Sequence, residues 1–280
     1  MPGDPLNKDE KTRAQPRAQL RLGTMGFSYK EWAGPFYPAG TSPRGYLAAY
    51  ARHFNTVELD TTFYASPRPS TVRGWYTSTP PYFLFAAKLP HSITHEKGLV
   101  GAAEDLSDFV RTMSLLAEKL GPLLIQLPPS YTVARLEEVR RFLGELPAEF
   151  QFAIEFRHRS WYVKTVFDLL REKNVALVAV DYPRLPRRLE LTARWTYLRW
   201  VGRRSDVQTF DRLVLDRTAD LQHWAGLLLQ RLEEATTVYG YFNNHYAGHA
   251  PASVRQFQRL LGLDDAVSVP VGEQPLLFQG

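Results

Sequence analysis

Eight short, mostly apolar segments, most with a charged or amide residue at or near the end, recur along this chain. They are Arg21–Met25, Thr56–Thr62, Phe83–Leu89, Leu123–Leu127, Phe152–Phe156, Ala176–Asp181, Thr196–Val201 and Val238–Asn243. Strands of this length, most of them followed by a helical stretch, are typical of an α/β protein with a parallel sheet. Eight such units in 280 residues predict a single (β/α)8 barrel, or TIM barrel.

The chain is predicted to form one domain preceded by a short arm. Residues 1–19 are polar, charged and contain proline, so we expect a disordered N-terminal arm there. Residues 20–280 then form the barrel domain. Between strands six and seven, the segment Tyr182–Arg194 holds two prolines and lacks helical periodicity, which predicts irregular structure.

Composition excludes several classes of protein. The absence of cysteine excludes disulfides, iron–sulfur ligation by Cys and a cysteine nucleophile. No signal-peptide pattern and no long apolar run are present, so we expect a cytoplasmic protein without membrane contact. The net charge of +5 permits an anionic partner. Arginines crowd the sixth and seventh strands, where a solvated basic loop is the alternative to an anion site. They are Arg184, Arg187, Arg188, Arg194, Arg199, Arg203 and Arg204.

Polar residues stand at the ends of the predicted strands, and in a TIM barrel these ends meet at one mouth. Side chains alternate between the two faces of a strand, so Glu155 shares a face with Arg157, and Asp181 shares one with Leu177 and Ala179. Apolar residues deeper in each strand would fill the barrel below them. The predicted ring is Glu58, Lys88, Gln126, Glu155, Arg157, Asp181, Arg199 and Asn243, with His158 next to it.

A ring that mixes acids with Lys and Arg is typical of either an active site or an internal ion-pair network. Buried ion pairs seldom add net stability, because desolvation offsets their attraction, so we favour function. The predicted protein is a hydrolase, lyase or isomerase that acts by acid–base chemistry on a phosphorylated or other anionic substrate. Glu155 is expected to be the base or acid, with Glu58 and Asp181 as partners. The cations that would stabilise negative charge are Lys88, Arg157 and Arg199.

The end of the eighth strand predicts an anion site. Pro251 suits the first turn of the last helix, so Gly248 is expected just before a helix N-terminus, where free N–H groups bind anions. Barrels often hold phosphate between the loops after strands seven and eight, and Arg203 would reach the phosphate from the other loop. Further predicted ligands are Asn243, Asn244 and His245. The alternative is a capping loop with surface histidines.

A divalent metal is a less favoured alternative. Glu58, Glu155 and Asp181 are oxygen ligands that could hold Mg²⁺, Mn²⁺ or Zn²⁺. The sequence has no HxH or HExxH spacing, and three cations share the predicted mouth. We therefore expect no metal and no other cofactor.

Several sequence motifs follow one another in a fixed order between residues 20 and 260. They are Gly23–Trp32 with Gly34 and Phe36–Pro38, Asn55–Glu58 with Phe63 and Tyr64, Lys88–Pro90 with Ile93–His95, Gln126–Pro129, Glu155–His158 with Ser160 and Trp161, Asp181, and Tyr241–Asn244. This set resembles the YecE-like family, the domain of unknown function 72. The resemblance implies a TIM barrel without an established activity. Two positions depart from the family pattern: Val201 stands where His is often found, and Asp60 where Asn is frequent.

Two other functions fit the same sequence. At the level of fold alone, the predicted barrel resembles those of xylose isomerase and endonuclease IV. A protein that binds nucleic acid or cleaves phosphodiesters would place the arginine-rich loops on phosphates and aromatic side chains on bases. The aromatic candidates are Tyr29, Trp32, Tyr64 and Trp161. A glycosidase would use two of the carboxylates. The sequence does not indicate an oligomeric state.

Overall fold

The computed structural model describes residues 18–263, in which eight parallel strands form one barrel. The strands are β1 (Gln19–Thr24), β2 (Thr56–Leu59), β3 (Leu84–Lys88), β4 (Leu120–Gln126), β5 (Phe152–Glu155), β6 (Ala176–Asp181), β7 (Thr196–Trp200) and β8 (Thr237–Phe242). Hydrogen bonds join them in the order β1-β8-β7-β6-β5-β4-β3-β2. The predicted TIM barrel is therefore confirmed.

Helices connect most of the consecutive strands. They are α1 (Tyr46–Tyr50), α2 (Pro69–Thr77), α3 (Ala103–Met113), α4 (Leu136–Gly144), α5 (Lys164–Glu172), α6 (Thr218–Leu229), α7 (Asn244–Ala247) and α8 (Ala250–Leu260). No helix lies between β6 and β7, which confirms the irregular segment predicted there. Within residues 18–263, no helix is long and apolar enough to cross a membrane. The arm predicted for residues 1–19 falls outside the described residues, apart from the start of β1 at Gln19.

The barrel closes between β1 and β2 through a short contact. Met25 bridges to Glu58, and the amide of Gly26 donates to the carbonyl of Glu58 over 2.8 Å. Gly23 permits this approach, because a Cβ atom at that position would lie 2.2 Å from the carbonyl oxygen of Thr56. The closure brings the end of β1 beside Glu58, at the mouth of the barrel.

Side chains of very different size fill the barrel interior. Strands β3 to β6 contribute small and aliphatic residues, whereas β7 and β8 contribute large aromatic ones. The interior residues are Met25, Ala86, Leu124, Ala153, Ala176, Val178, Val180, Trp195, Tyr197, Tyr239 and Tyr241. The small side chains on one wall make room for the rings that project from the other, so the barrel is a packed core below its mouth.

Strand β6 has the opposite register to the one predicted. Ala176, Val178 and Val180 point into the barrel, while Leu177 and Ala179 belong to the outer core between the sheet and the helices. Asp181 shares their outer face and accepts a hydrogen bond from Trp224 of α6. The prediction that Asp181 faces the mouth is therefore wrong. Every residue before Asp181 in β6 is apolar, so polarity gave no indication of which face is the inner one.

Candidate active site

A buried arginine joins two carboxylates at the mouth of the barrel. The guanidinium of Arg199, on β7, donates to both oxygens of Glu58, over 2.9 Å from Nε and 2.7 Å from Nη2. Its Nη1 donates to Oε2 of Glu155 over 2.5 Å. Both carboxylates are completely buried and Arg199 is only 5% exposed. One cation thus holds together the ends of β2, β5 and β7.

Each carboxylate also has a second donor. The hydroxyl of Tyr197 donates to Glu58 over 2.7 Å, and Nε of Arg157 donates to Glu155. The Arg157 guanidinium in turn lies over the ring of Tyr182, 4.2 Å from its centroid. The predicted register of β2, β5 and β7 is confirmed by these contacts. Two acids and two arginines consequently form one hydrogen-bonded cluster, and charged hydrogen bonds of this kind are the stronger ones in proteins.

Electrostatics keep Glu155 and Arg199 ionised. Burial by itself would raise the pKa of Glu155, but Arg157 and Arg199 outweigh it and lower the pKa to about 2. Burial opposes the charge of Arg199 too, yet Glu155 and Glu58 raise its pKa well above the ordinary value. At neutral pH Glu155 therefore has no proton to donate, and both of its oxygens already accept hydrogen bonds.

Lys88, at the end of β3, has a different environment. Its Nζ donates to Oε1 of Gln126 over 2.7 Å and lies 3.5 Å from the centre of the Phe63 ring. Burial, followed by the charge of Arg199, lowers the pKa of Lys88 to about 7. Lys88 is therefore the cation of this site whose proton exchanges most readily near neutral pH.

Asp60 and His95 are two further groups of the site with shifted pKa values. Burial and the neighbouring Glu58 raise the pKa of Asp60, which favours its protonated form. Burial and the charge of Lys88 lower the pKa of His95 to about 4, so its ring is neutral at physiological pH. Nδ1 of His95 lies 2.9 Å from the hydroxyl of Thr94. Asp60 is thus the acidic side chain of the site that is closest to acting as a proton donor.

These groups surround a cavity of about 680 Å³, called here the mouth cavity. Its lining includes Met25, Asp60, Phe63, Tyr64, Lys88, His95, Gln126, Pro129, Arg157, Tyr182, Arg199, Val201, Gly202, Arg203, Arg204, Ser205, Asn243 and His245. Glu58 and Glu155 lie beneath this lining and do not form part of it. Arg203 and Arg204 are exposed at the rim. The cavity therefore meets solvent through a cationic rim.

Comparison with known proteins shows what this barrel is related to. The sequence profile described as "Protein of unknown function DUF72" matches residues 21–275. The chain belongs to the DUF72 family. The resemblance that the motifs indicated is thereby confirmed, and the family description assigns no activity.

Relatives and solved structures of DUF72 proteins agree with this assignment. The UPF0759 protein YecE of Escherichia coli (strain K12) is 30% identical over 233 residues, which cover 74% of this chain and 82% of YecE. YunF of Bacillus subtilis (strain 168) is 26% identical over 81% of this chain and 90% of YunF. The crystal structure of the DUF72 family protein TM1631 from Thermotoga maritima MSB8 has a TM-score of 0.74 at 30% identity, covering 87% of this chain and 99% of its own.

This DUF72 barrel brings together ten of the sixteen predicted site residues. Glu58 and Glu155 form the buried cluster, and eight further predicted residues line the mouth cavity. These eight are Tyr64, Lys88, Gln126, Arg157, Arg199, Arg203, Asn243 and His245. They come from six strand ends and the loops that follow them, as expected for the carboxyl end of a TIM barrel.

The N-terminus of α8 does not offer the free amides that were expected there for an anion. The side chain of Asn244 accepts hydrogen bonds from the amide of Ala250 and from the indole of Trp32. Gly248 packs closely against the backbone of Arg212, because a Cβ atom at position 248 would lie 2.3 Å from the Arg212 carbonyl oxygen. Asn244 and Gly248 therefore have no access to a ligand through this helix end, because protein groups already occupy its free positions.

Three more predicted binding residues have structural contacts instead. Trp32 is fully buried among aromatic rings, and the hydroxyl of Tyr29 donates to the carbonyl of Met25. Nδ1 of His158 accepts from the amide of Ser160 and so caps the short helical turn after β5. None of the three lines the mouth cavity.

Asp181 also lies apart from the metal ligands proposed with it. Glu58 and Glu155 are held by arginines inside the barrel, whereas Asp181 is bound on the outer face. Within residues 18–263, no group of three or more His, Asp or Glu side chains gathers at a point where it could hold a metal. The three carboxylates therefore form no common metal site.

The sequence indicated some residues of the site only indirectly. Tyr197 stands two positions before Arg199 and Met25 two positions after Gly23, so alternation alone would have placed both on an inner face. Phe63 and His95 lie in short helical turns after β2 and β3, and Tyr182 lies in the loop after β6, where no periodicity specifies direction. Such residues become visible as site residues only once the barrel is built.

Proposed function

We propose that this protein is an enzyme that binds an anionic small molecule, such as a phosphorylated or carboxylated metabolite, in the mouth cavity. The observation that carries the proposal is the unequal distribution of charge around it. Beneath the cavity, Glu58 forms an ion pair with Arg199, and Glu155 forms ion pairs with Arg199 and Arg157. The lining of the cavity itself presents cations. A substrate with negative charge complements that surface.

The cations divide into a buried and an exposed group. Arg199 and Arg157 are held by the buried carboxylates and by Tyr182, so their remaining surface forms a preorganised floor. Arg203 and Arg204 stand exposed at the rim, where they can contact an entering ligand. Preorganised charge at the floor can stabilise negative charge that develops in a transition state, and the exposed arginines contribute to substrate capture.

Proton transfer is assigned to Asp60 and Lys88. Both line the cavity, and the environment of each moves its pKa from the ordinary value towards neutrality. A side chain transfers protons more efficiently as its pKa approaches the working pH. Glu155, which the sequence suggested as the acid or base, serves instead to fix the arginines, since its lowered pKa leaves it a weak base.

The proposal is tested by ligand-dependent thermal stability. We expect inorganic phosphate, and one or more members of a panel of phosphorylated and carboxylated metabolites, to raise the Tm. Ligand at a hundred times its Kd contributes about 2.7 kcal/mol, and each kcal/mol raises the Tm of a chain this long by about 2–4 °C. Arg203→Ala and Arg204→Ala are expected to reduce the shift.

Arg44→Ala is the matched control, since it removes the same charge from an exposed residue outside the mouth cavity. No shift with any anion, in wild type and variants alike, would refute the proposed function. A single-stranded oligonucleotide in the same titration examines the nucleic-acid alternative, which is favoured by the 73% exposure of Tyr64 beside Arg204. Oligonucleotide affinity that falls steeply with salt, without any response to metabolites, would favour that alternative.

The glycosidase alternative receives no support from the site. Its mechanism needs two carboxyl groups on either side of a sugar, with space between them. Here the guanidinium of Arg199 occupies the position between Glu58 and Glu155, and neither acid lines the mouth cavity.

A further inference from the structure

We infer that Lys88 is a nucleophile that forms an imine with a carbonyl compound carrying an anionic group. The inference deepens the proposed function, since it relies on the cationic mouth cavity to hold the anionic group. It adds the substrate class, an aldehyde or ketone with a phosphate or carboxylate, and a covalent step.

No carboxylate of the described residues forms an ion pair with Lys88. Its hydrogen-bond acceptor is the side-chain oxygen of Gln126, which carries no charge. The Gln126 amide is fixed in that orientation, because its Nε2 donates to the carbonyl of Leu127 over 2.7 Å. On another side the amine faces the Phe63 ring. A buried ammonium with an uncharged hydrogen-bond acceptor loses stabilisation relative to water, and the contact with the Phe63 ring restores only part of it.

The charged groups around Lys88 do not restore that stabilisation. Arg199 and Arg157 repel the ammonium, and the attraction of Glu155 and Glu58 is shared with those arginines. The other titratable neighbours are His95, which is neutral at physiological pH, and Asp60, whose raised pKa favours its protonated form. With a pKa of about 7, Lys88 carries a large fraction of free amine under conditions where an ordinary lysine is protonated.

Access and acid assistance are both present in the mouth cavity. Lys88 is 9% exposed, and it lines the same cavity as Asp60, Arg203 and Arg204. The rim arginines can hold the phosphate or carboxylate of a substrate while its carbonyl carbon enters toward the amine. Asp60, whose pKa is raised, supplies the proton that imine formation consumes. The Lys88 amine, the Asp60 carboxyl group and the two rim arginines therefore line the same cavity.

An aldehyde or ketone would react with Lys88 in two stages. The lone pair of Lys88 Nζ attacks the carbonyl carbon, the C=O π electrons move to oxygen, and that oxygen takes a proton while nitrogen loses one. Asp60 then protonates the resulting hydroxyl, which leaves as water as the nitrogen lone pair forms the C=N bond. The products are an iminium and one water, with no oxidant or reductant involved. Protonated imines withdraw electrons, so the bonds of the adjacent carbon become easier to break, as in lyase and isomerase chemistry.

Borohydride trapping with two probes tests this inference. Pyridoxal 5′-phosphate and pyridoxal are aldehydes that differ by the phosphate, and reduction of their imines leaves a stable mass on lysine. The full chain is incubated with one equivalent of either probe at pH 7.5, reduced, digested and analysed by peptide mass spectrometry. Lys30, an exposed lysine outside the mouth cavity, serves as the internal reference in every digest.

We expect Lys88 to be labelled by pyridoxal 5′-phosphate about tenfold or more over Lys30, because an ordinary lysine amine is almost fully protonated at pH 7.5. The preference should shrink at pH 10, and excess inorganic phosphate should compete. Labelling of Lys88 no greater than that of Lys30 with both probes would overturn the inference. Equal preferential labelling of Lys88 by both probes would retain the nucleophile and count against anion capture. Because these comparisons use the wild-type chain, the result does not depend on the folding of a variant.

Discussion

Glu155 and Asp181 end neighbouring strands of the same barrel, yet they lie in two different environments. Glu155 points inward, is completely buried, and binds Arg157 and Arg199 beneath the mouth cavity. Asp181 points outward and binds the side chains of Trp224 on α6 and Tyr246 on α7. A carboxylate at the end of a barrel strand is therefore not a site residue by position alone.

The difference between the two acids lies in their partners. Glu155 forms ion pairs with Arg157 and Arg199, which both line the mouth cavity. Asp181 accepts hydrogen bonds from two neutral groups and forms one ion pair, with Arg187 over 3.2 Å. Arg187 is 43% exposed, so solvent screens that pair. The inner carboxylate fixes two arginines at the mouth cavity, while the outer one attaches two helices to the sheet. Variants of both environments can separate these roles.

Arg199→Ala is expected to have the largest effect, because it leaves Glu58 and Glu155 buried without their shared cation. Removing one partner of a buried ion pair costs about 3–5 kcal/mol. Chemical denaturation should therefore show a free energy of unfolding lower by about that amount at pH 7, and Arg199→Lys should fall between the variant and wild type.

The exposed Arg44→Ala change, made as a control for loss of charge, should remain within about 0.5 kcal/mol of wild type. An Arg199→Ala protein that is less than about 1 kcal/mol less stable than wild type would contradict the inner cluster described here.

We expect Glu155 to account for part of the stability that the protein loses at low pH. Its folded-state pKa is about 2 against an ordinary value of 4.5, so it contributes stability above pH 4.5 that is lost as the pH falls to about 2. This contribution amounts to about 3 kcal/mol. In Glu155→Gln, the decline in the free energy of unfolding between pH 4.5 and 2 should be smaller by that amount.

The same titration on Asp181→Asn gives the comparison with the outer acid. An unchanged acid profile in Glu155→Gln would show that Arg157 and Arg199 do not stabilise the ionised Glu155 carboxylate. Both titrations should be run at low salt and repeated at higher salt. Higher salt should screen the buried pairs of Glu155 little and the pair of Asp181 with exposed Arg187 more strongly.

The fold could be predicted because eight apolar segments recur at strand length, and only a few arrangements accommodate that pattern. The inner site could be predicted in part for a related reason. In β3, β4, β5 and β7 a polar residue ends a face whose deeper positions are occupied by Ala86, Leu124, Ala153 and Tyr197, so alternation places the polar group above the core. In these strands the sequence itself indicates which face is the inner one.

The residues that could not be placed share a different property. In β6 both faces are apolar, because the outer face is covered by helices as completely as the inner one is filled. Trp32 and Asn244 belong to sequence motifs and Gly248 follows the last of them, but their contacts join segments that are distant in sequence. Only tertiary structure reveals whether such a residue faces a ligand or another loop.

Substitutions of Asp181 should have the smallest effects and complete the comparison with Glu155. Asp181→Ala leaves the indole N–H of Trp224 without its acceptor in a buried position, which costs about 1–3 kcal/mol. Asp181→Asn keeps an acceptor for Trp224 and loses only the screened pair with Arg187, so its cost should be below about 1 kcal/mol. Neither variant should change the thermal shift produced by phosphate, because Asp181 does not line the mouth cavity. A reduced phosphate shift in Asp181→Asn, with stability retained, would instead give the outer carboxylate a part in ligand binding.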